Sequence, residues 1–548
     1  MPIPLTRTPA PALDFSRPGT PAAENFGDIY FSTDGGLAET RAVFLGGCGL
    51  PDGWMDRDVF TVAELGFGSG LNWLATLQSW RQSGATGRLH FISVEAFPFE
   101  RGDLARALAA FPELGELSAE LLAQWPGPVR GVHRLHFGSA TLTLVHDGVE
   151  AALASQEFAA DAWFLDGFSP AKNPDMWSDI VLAEVARLST HDARLASFTV
   201  AGFVRRGLEA AGFSVSRLPG FGRKRHRLEA RFSGEAPPRR QHAMPTIIGA
   251  GIAGASVAQA FRRRGYVPRV LFDPAHVAAS GNAAALVKPR LDLQDNPASR
   301  FFLQSYLYSR HAYAGAVLHE GVVHRPKTDA QAERFSRIAA QEPLGPGALR
   351  WENGQLCIPD ALVIDPAAAR AQMLDGAEVI EGAVERVEGP AVVCAGYGIR
   401  ALMPELSLRW SRGQLSWADG RVDGPVTYGG YALPMGERVL LGATHDRLEP
   451  GEDPFALRPG DDQRNLEGAR AQGLDVAAPS PHRAGVRVNT RDTFPRMAKA
   501  ARDVTVLTGL GSRGFVFAPL LGEAVVCDWL GEPSPLSLAQ WVRLTRPP

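Results

Sequence analysis

Two glycine-rich turns, each set between a short apolar run and a stretch of helical periodicity, constrain this chain more than any other feature. ELGFGSGLN closes the run that begins VFTVAEL, and IIGAGIAGASVAQAFRRRG opens a second series. A tight passage from strand into helix is the mark of parallel strands with helices returning across the sheet. Around the first turn, VFTVAELGFG, LHFISVEAF, ATLTLVHD, DAWFLDGF and RLASFT alternate with the helical stretches LNWLATLQSWRQS and RGDLARALAAF. GFSVSRL and HRLEARF then suit a terminal hairpin. The pattern predicts an α/β, doubly wound sheet whose ligands sit beyond the carboxyl ends of the strands. The second series runs strand, glycine turn, helix, then VLFDPA, and ends in LTGLGSRGFVFAPLLGEAVV, a strand–loop–helix.

A chain of 548 residues exceeds one ordinary core. The Pro- and Arg-rich stretch GEAPPRRQHAMPT, Gly234–Thr246, is the expected boundary, giving domains at 1–238 and 244–548. Hydrophobic residues at 45% and charged residues at 21% describe ordinary soluble composition. No apolar run reaches the roughly 18 residues of a membrane span, and the N-terminus lacks the apolar core of a secretory signal. Cys48, Cys357, Cys394 and Cys527 are scattered without a CxxC pair, which argues against structural zinc or a disulfide framework and fits a cytoplasmic location. No metal and no membrane partner are expected, and a monomer is. The net charge of −3 announces no nucleic acid. GFGRKRHRLEARF, Gly220–Phe232, is nonetheless basic, and reads either as a solvated face or as a phosphate-binding patch.

Gly66, Gly68 and Gly70 allow a tight turn and close approach of a ligand. Glu95, at the end of the next strand, can accept hydrogen bonds from two ribose hydroxyls, and Asp147 ends a third strand where an adenine amino group would lie. This layout suits S-adenosylmethionine, against the plainer reading of a simple turn. Gly249, Gly251 and Gly254 form a full GxGxxG answered by Asp273, the pattern of a dinucleotide site. NAD and FAD both fit it. The late loop Gly509–Phe515, with Gly511, Arg513 and Gly514 leading into a helix, favours FAD. A third feature is DAWFLDGFSPAKNPDMWS, Asp161–Ser178, where a core strand ends in Asp166 and passes into a proline-stiffened aromatic loop. Taken alone, it also fits a strand-ending Asx turn with an aromatic plug.

FGDIYFSTDGGLAETRAVFL, ELGFGSGLNWL, DAWFLDGFSPAKNPDMW, AGFVRRGLEAAGF and GFGRKR closely resemble the methyltransferase half of the MnmC family. ASGNAAALVKPRL, RGQLSW, GYALP, GVRVNTRDTFPRM and GLGSRGFVFAPL resemble its oxidoreductase half, of the D-amino-acid-oxidase-like flavoproteins. The resemblance covers nearly the whole chain. It implies an N-terminal Rossmann-like S-adenosylmethionine methyltransferase domain and a C-terminal FAD-binding α/β oxidoreductase domain. It also implies two steps on a tRNA wobble uridine. The flavin half removes the carboxymethyl group of 5-carboxymethylaminomethyl-2-thiouridine as glyoxylate, and the other half methylates the resulting primary amine.

On that resemblance Asp166 orients the amine and helps carry its proton away. Phe168 packs against the base or the methyl donor, and Trp177 stiffens the slot. Arg487 sits where an arginine clamps the substrate carboxylate, with Tyr431 as a second contact. Arg513, Lys288 and Asn282 lie near the flavin, while His445 reads as a satisfied strand-end histidine rather than a catalyst. Arg205, Arg206, Arg223, Lys224 and Arg225 would bind anticodon-loop phosphates, and Lys172 would lie near the flipped base. One alternative keeps both enzymes but makes the substrates small molecules. Another, a scaffold with relic nucleotide sites, is opposed by the glycines and their acids both being intact.

Overall fold

Strands buried on both faces read as near-continuous apolar runs, and the first half of the chain supplies five such runs. The computed structural model describes residues 7–16, 20–31, 35–222, 224–235, 243–449 and 451–547. Two compact units emerge, Thr6–Arg240 with Gly531–Leu538, and Gln241–Leu530 with Ala539–Pro548. In sequence the halves read as consecutive blocks. The structure instead returns Gly531–Leu538 to the first unit, where Arg88 Nε meets Glu532 Oε1 at 2.8 Å and Arg134 Nη2 donates to the Pro533 carbonyl at 2.6 Å. No composition shift marks that return.

The first unit is built on β1 (Val59–Leu65), β2 (Arg88–Glu95), β3 (Gly131–Phe137), β4 (Ala140–His146), β5 (Ala160–Leu165), β6 (Ser189–Ser197), β7 (Phe213–Pro219) and β8 (His226–Phe232). Their order is β7–β8–β6–β5–β1–β2–β4–β3. The five strands from β6 to β4 are parallel, and the edges are antiparallel. The β7–β8 hairpin pairs Phe213 with Phe232, as the sequence suggested. β3 was not evident in sequence, because His133, Arg134 and His136 interrupt its apolar pattern. Successive residues alternate between faces. Val62, Phe91 and Phe164 join one core with Leu74, Leu104 and Leu121. Ala63, Val94 and Trp163 join the other with Val181, Val185 and Leu208. Strand order, not direction, reverses about β1, so the carboxyl ends of β1, β2 and β5 open on one crevice.

The second unit repeats the logic with a smaller parallel sheet, ordered Glu378–Glu381, Arg269–Phe272, Thr246–Ile248, Ala391–Val393 and Val504–Thr508, with Arg496–Ala501 antiparallel at the edge. Helix Ile252–Arg262 crosses the long buried helix Gly514–Leu530 closely. A Cβ on Gly522 would lie 2.7 Å from the Ser256 carbonyl carbon. The crossing is pinned by Arg264, whose Nη1 and Nη2 donate to Glu523 at 3.0 and 2.7 Å. A mixed ten-stranded sheet completes the unit, and in it Arg409–Gly420 pairs antiparallel with Val476–Asn489. Among the described residues no helix is long and apolar enough to cross a membrane, and no group of His, Cys, Asp or Glu could hold a metal ion.

Arg264 and Glu523 are both buried, so removing one partner leaves the other charge uncompensated. Glu523→Ala is therefore expected to destabilise the second unit by about 3–5 kcal/mol. Replacing both residues together with apolar side chains should recover most of that stability, read from chemical denaturation.

Candidate active sites

The turn after β1 has to bring backbone against backbone. Gly66 has φ +85°, and a Cβ there would lie 3.1 Å from the Gly167 Cα at the end of β5. This contact sets the first-half crevice, with the glycine turn on one side and DGFSP on the other. At the end of β2, Glu95 accepts hydrogen bonds from the Gly68 and Phe97 amides, both at 2.8 Å, which ties the acid to the loop. Burial raises its pKa, and the three backbone donors of residues 68, 97 and 96 oppose the rise. At the end of β4, Asp147 accepts from the Gly148 amide at 3.0 Å and lies 4.0 Å from Arg130 Nε. The turn, Glu95 and Asp147 thus follow three neighbouring strand ends.

Asp166 closes β5 on the other side of β1. Its Oδ1 accepts from the Gly167 amide at 2.8 Å and its Oδ2 from Asn72 Nδ2 at 2.7 Å. Burial is the main reason that its carboxyl is pushed up to about 6, against the Gly167 and Asn72 donors and Lys224. Asn72 also donates to Glu64 Oε1 at 2.8 Å, and Ser93 Oγ donates to Glu64 Oε2 at 2.6 Å. Burial holds Glu64 well above the usual carboxylate range. Sequence reasoning missed Glu64 and Asn72. The available signal was a charged residue inside the apolar run VFTVAEL, which a buried strand does not carry without reason.

Phe168 stacks on Phe26, with ring centroids 4.6 Å apart, and meets Tyr30 edge-on at 5.2 Å. Trp177 is buried and its Nε1 donates to the Phe168 carbonyl at 3.2 Å, which fixes the loop from behind. Lys172 lies 3.2 Å from Asp28 Oδ1 and donates to the Gly27 carbonyl at 2.5 Å. The Ser169 amide donates to Asp28 Oδ2 at 3.2 Å. The N-terminal FGDIY segment is therefore strapped across the DGFSPAKNP loop, and Lys172 is one of its fasteners. Lys224 pairs with Glu39 at 2.7 Å and lies 4.5 Å over the Phe198 ring, at the edge of the Asp166 crevice. Arg205 and Arg206 are exposed on helix Gly202–Ala210, where Arg205 meets Glu209 at 2.9 Å. Arg225 is exposed in the β7–β8 turn, and Arg223 lies outside the described residues.

In the second unit a cavity of about 1060 Å³ runs from Asp273 past the glycine turn to Arg487. Gly249, at φ +111°, would place a Cβ 2.5 Å from the Cys394 carbonyl oxygen, and Gly254 would place one 1.8 Å from the Gly249 carbonyl oxygen. A Cβ on Gly251 would meet only Ser280 Oγ, at 3.4 Å, so this face is open to a ligand at the start of helix Ile252–Arg262. Two glycine positions closed to side chains and one open to the cavity fit a pyrophosphate at a helix N-terminus. Asp273 accepts from the Ala275 amide at 2.9 Å and meets His276 Nδ1 at 2.8 Å, and these contacts, the amide first, hold its carboxyl below the usual range. Asn282, Gly511, Arg513 and Gly514 line the same cavity, as expected for an FAD site. Arg483, which the sequence reading passed over, anchors the ASGN wall by donating to the Gly281 carbonyl and, at 2.7 Å, to the Ala278 carbonyl.

The far end of the cavity is cationic. Arg487 stands opposite Ser411 in its sheet, and a Cβ on Gly413 would fall 2.3 Å from its Nη1, so the glycine of RGQLSW makes room for the guanidinium. Nη1 donates to the Thr444 carbonyl at 3.1 Å and lies 3.4 Å from His445 Nδ1. His445, exposed between strands Arg438–Gly442 and Asp446–Arg447, lines the cavity with Arg487 Nη1 beside its ring. Burial pushes the Tyr431 hydroxyl up to about 12, against the pull of Arg487. Lys288 Nζ lies 3.2 Å from His324 Nδ1, which lies 2.7 Å from Thr427 Oγ1. Burial, aided by Arg513, lowers Lys288 to about 8. Such an end can hold a carboxylate, with an amine nitrogen beside it kept out of bulk water.

Residues 112–233 match the S-adenosyl-L-methionine-dependent methyltransferase family model, and residues 246–527 match that of the FAD dependent oxidoreductases. The tRNA 5-methylaminomethyl-2-thiouridine biosynthesis bifunctional protein MnmC of Caulobacter sp. (strain K31) is 43% identical over 94% of this chain and 94% of its own length. The protein of that name from Caulobacter vibrioides is 41% identical over 99% of this chain and 98% of its own. Among solved structures, the crystal structure of MNMC2 from Aquifex aeolicus is 25% identical, covers 40% of this chain and 69% of its own, and gives a TM-score of 0.34. With relatives matched along almost its full length and a family model matched in each half, this chain belongs to the MnmC family of bifunctional tRNA 5-methylaminomethyl-2-thiouridine biosynthesis proteins.

Proposed function

We propose that this protein performs two consecutive steps on the wobble uridine of a tRNA anticodon loop, oxidising 5-carboxymethylaminomethyl-2-thiouridine to the aminomethyl form and then methylating the amine. The observation that carries this reading is the full-length family match combined with two intact ligand cradles. Chain order is the reverse of reaction order. The two domains are taken as 1–238 and 244–548, with Gly531–Leu538 packing back on the first. A tRNA substrate and four free cysteines support a cytoplasmic location. Because each site is completed within its own unit, a monomer suffices.

In the second unit, Arg487 and Tyr431 hold the substrate carboxylate, which sets the carbon next to the amine against the ligand cavity. FAD, when bound there, supplies the two-electron acceptor. Lys288, lowered to about 8 by burial, lines the cavity beside His324, and Asn282, Arg513 and the Gly511–Gly514 turn line the flavin end. Water then releases the two-carbon acid as glyoxylate.

In the first unit, Gly66, Gly68 and Gly70 with Glu95 and Asp147 hold S-adenosylmethionine. Asp166 orients the amine so that its nitrogen bonds to the methyl carbon as the carbon–sulfur bond breaks toward sulfur. The amine proton passes to the Asp166 carboxylate. Phe168, Phe26 and Tyr30 wall the slot. The basic residues Arg205, Arg206, Arg223, Lys224 and Arg225 meet tRNA phosphates, with Lys172 beside the base.

Nucleoside mass spectrometry of carboxymethylaminomethyl-bearing tRNA tests the whole. Aminomethyl uridine is expected without S-adenosylmethionine, and methylaminomethyl uridine with it. If neither appears from a yellow protein that binds S-adenosylmethionine, the tRNA assignment fails.

Asp166→Asn should lower methylation at least about 100-fold while oxidation continues. The carboxylate must be ionised to accept the proton, so wild-type methylation is expected to fall as pH drops through about 6. Arg487→Ala should cut oxidative kcat/KM roughly 10- to 100-fold with flavin content unchanged, as expected when a charged hydrogen-bonded clamp is removed. Neutralising Arg205, Arg206 and Arg225 together should weaken tRNA binding and flatten its salt dependence, by about one unit of slope for every phosphate no longer neutralised, measured by filter binding across salt.

A further inference from the structure

Helix Leu71–Ser83 starts on the first glycine turn, and its second residue, Asn72, is buried beneath the strand ends. An amide nitrogen carries two hydrogens, and here both are used. One goes to Glu64 Oε1 at 2.8 Å and the other to Asp166 Oδ2 at 2.7 Å. On its other side, Asn72 Oδ1 accepts from Thr40 Oγ1 at 2.8 Å. The amide has one sensible orientation, because a flip would turn Oδ1 toward two carboxyl groups. Glu64 is in turn held by Ser93 Oγ at 2.6 Å, so the chain of hydrogen bonds runs from β2 through β1 and the helix to the end of β5.

We propose that Asn72, anchored by Glu64 and Thr40, is a positioning residue for methyl transfer, fixing the Asp166 carboxylate so that it presents one constant direction to the substrate amine. This rests on Asp166 being the group that meets the amine. Gly167 N holds Oδ1 and Asn72 holds Oδ2, so both oxygens are constrained and the carboxylate plane cannot rotate. Lys224 is exposed in the β7–β8 turn and shared with Glu39.

The charged groups around Asp166 make the role measurable. Glu39 raises its pKa and Lys224 lowers it, while Glu64, itself facing Glu95, stands on the far side of Asn72. Burial first, and then the Asp166 charge, push the Glu64 carboxyl well above its usual range against the Ser93 and Asn72 donors. Asn72 is among the groups that hold Asp166 down at about 6, and its removal destabilises the ionised form and raises the pKa.

The test uses the full-length protein, aminomethyl-bearing tRNA and S-adenosylmethionine, with methylation kcat measured from pH 5 to 9. For Asn72→Leu, kcat should fall about 10- to 100-fold, KM for tRNA should stay within about threefold, and the acidic midpoint should move up by about one unit. Asn72→Asp, nearly isosteric but adding a charge, should move the midpoint further up, and Thr40→Val should move it less in the same direction. Retained S-adenosylmethionine binding and undiminished oxidation of the carboxymethyl substrate certify folding. If Asn72→Leu fails to fold, the other two variants decide. A lowered kcat with an unmoved midpoint in all variants would make Asn72 a packing residue and overturn the proposal. Should Asp166→Asn abolish methylation while every Asn72 and Thr40 variant behaves as wild type, the positioning role alone falls. Full methylation by Asp166→Asn would remove the Asp166 reading and this proposal with it.

Discussion

Close approach of backbone to backbone at strand ends is the constraint on which both sites depend. In the second unit the Gly254 position lies so near the Gly249 carbonyl that a Cβ would fall 1.8 Å from it. That approach lets helix Ile252–Arg262 begin immediately under the sheet, with its N-terminal amides facing the cavity. In the first unit the meeting of Gly66 with Gly167 does the same for two loops that leave neighbouring parallel strands. Without these approaches the turns would stand away from the sheet, and the acids at the next strand ends would face water instead of a ligand.

Given those cradles, the two sites carry opposite electrostatics. The first crevice gathers Glu64, Glu95 and Asp166, all with raised pKa values because burial penalises their charged forms. The second cavity gathers Lys288, Arg487 and Arg513, all lowered for the same reason. Each site thus holds groups whose charge is costly until a ligand of the opposite sign arrives. A sulfonium and an amine complement the first. A pyrophosphate and a substrate carboxylate complement the second. The same burial argument, applied to opposite residue types, separates two chemistries within one chain.

What was legible in the sequence was local. The glycine turns, the acids at the ends of β2, β4 and β5, the β7–β8 hairpin and the acid after Arg269–Phe272 all follow from a few consecutive residues whose pattern dictates strand, turn or helix. What escaped was assembled from distant segments. β3 was hidden because Arg134 meets a carbonyl in the returning segment Gly531–Leu538, so a strand with polar residues is buried all the same. Asn72 looked like an ordinary polar residue in a helix, since its partners Thr40, Glu64 and Asp166 come from three other elements. Arg483 resembled any surface arginine until its sheet register brought it under the ASGN loop.

Lys172 shows how far a motif alone can carry an assignment. Its place in the PAKNP loop suggests a cation offered to the substrate, yet its ammonium is engaged by Asp28 and the Gly27 carbonyl. The pair is partly exposed, so its net contribution to stability is small, of the order of 1 kcal/mol or less. Its effect is geometric. Together with the Phe26–Phe168 stack and the Ser169 amide on Asp28, it holds the FGDIY strap over the slot beside Asp166.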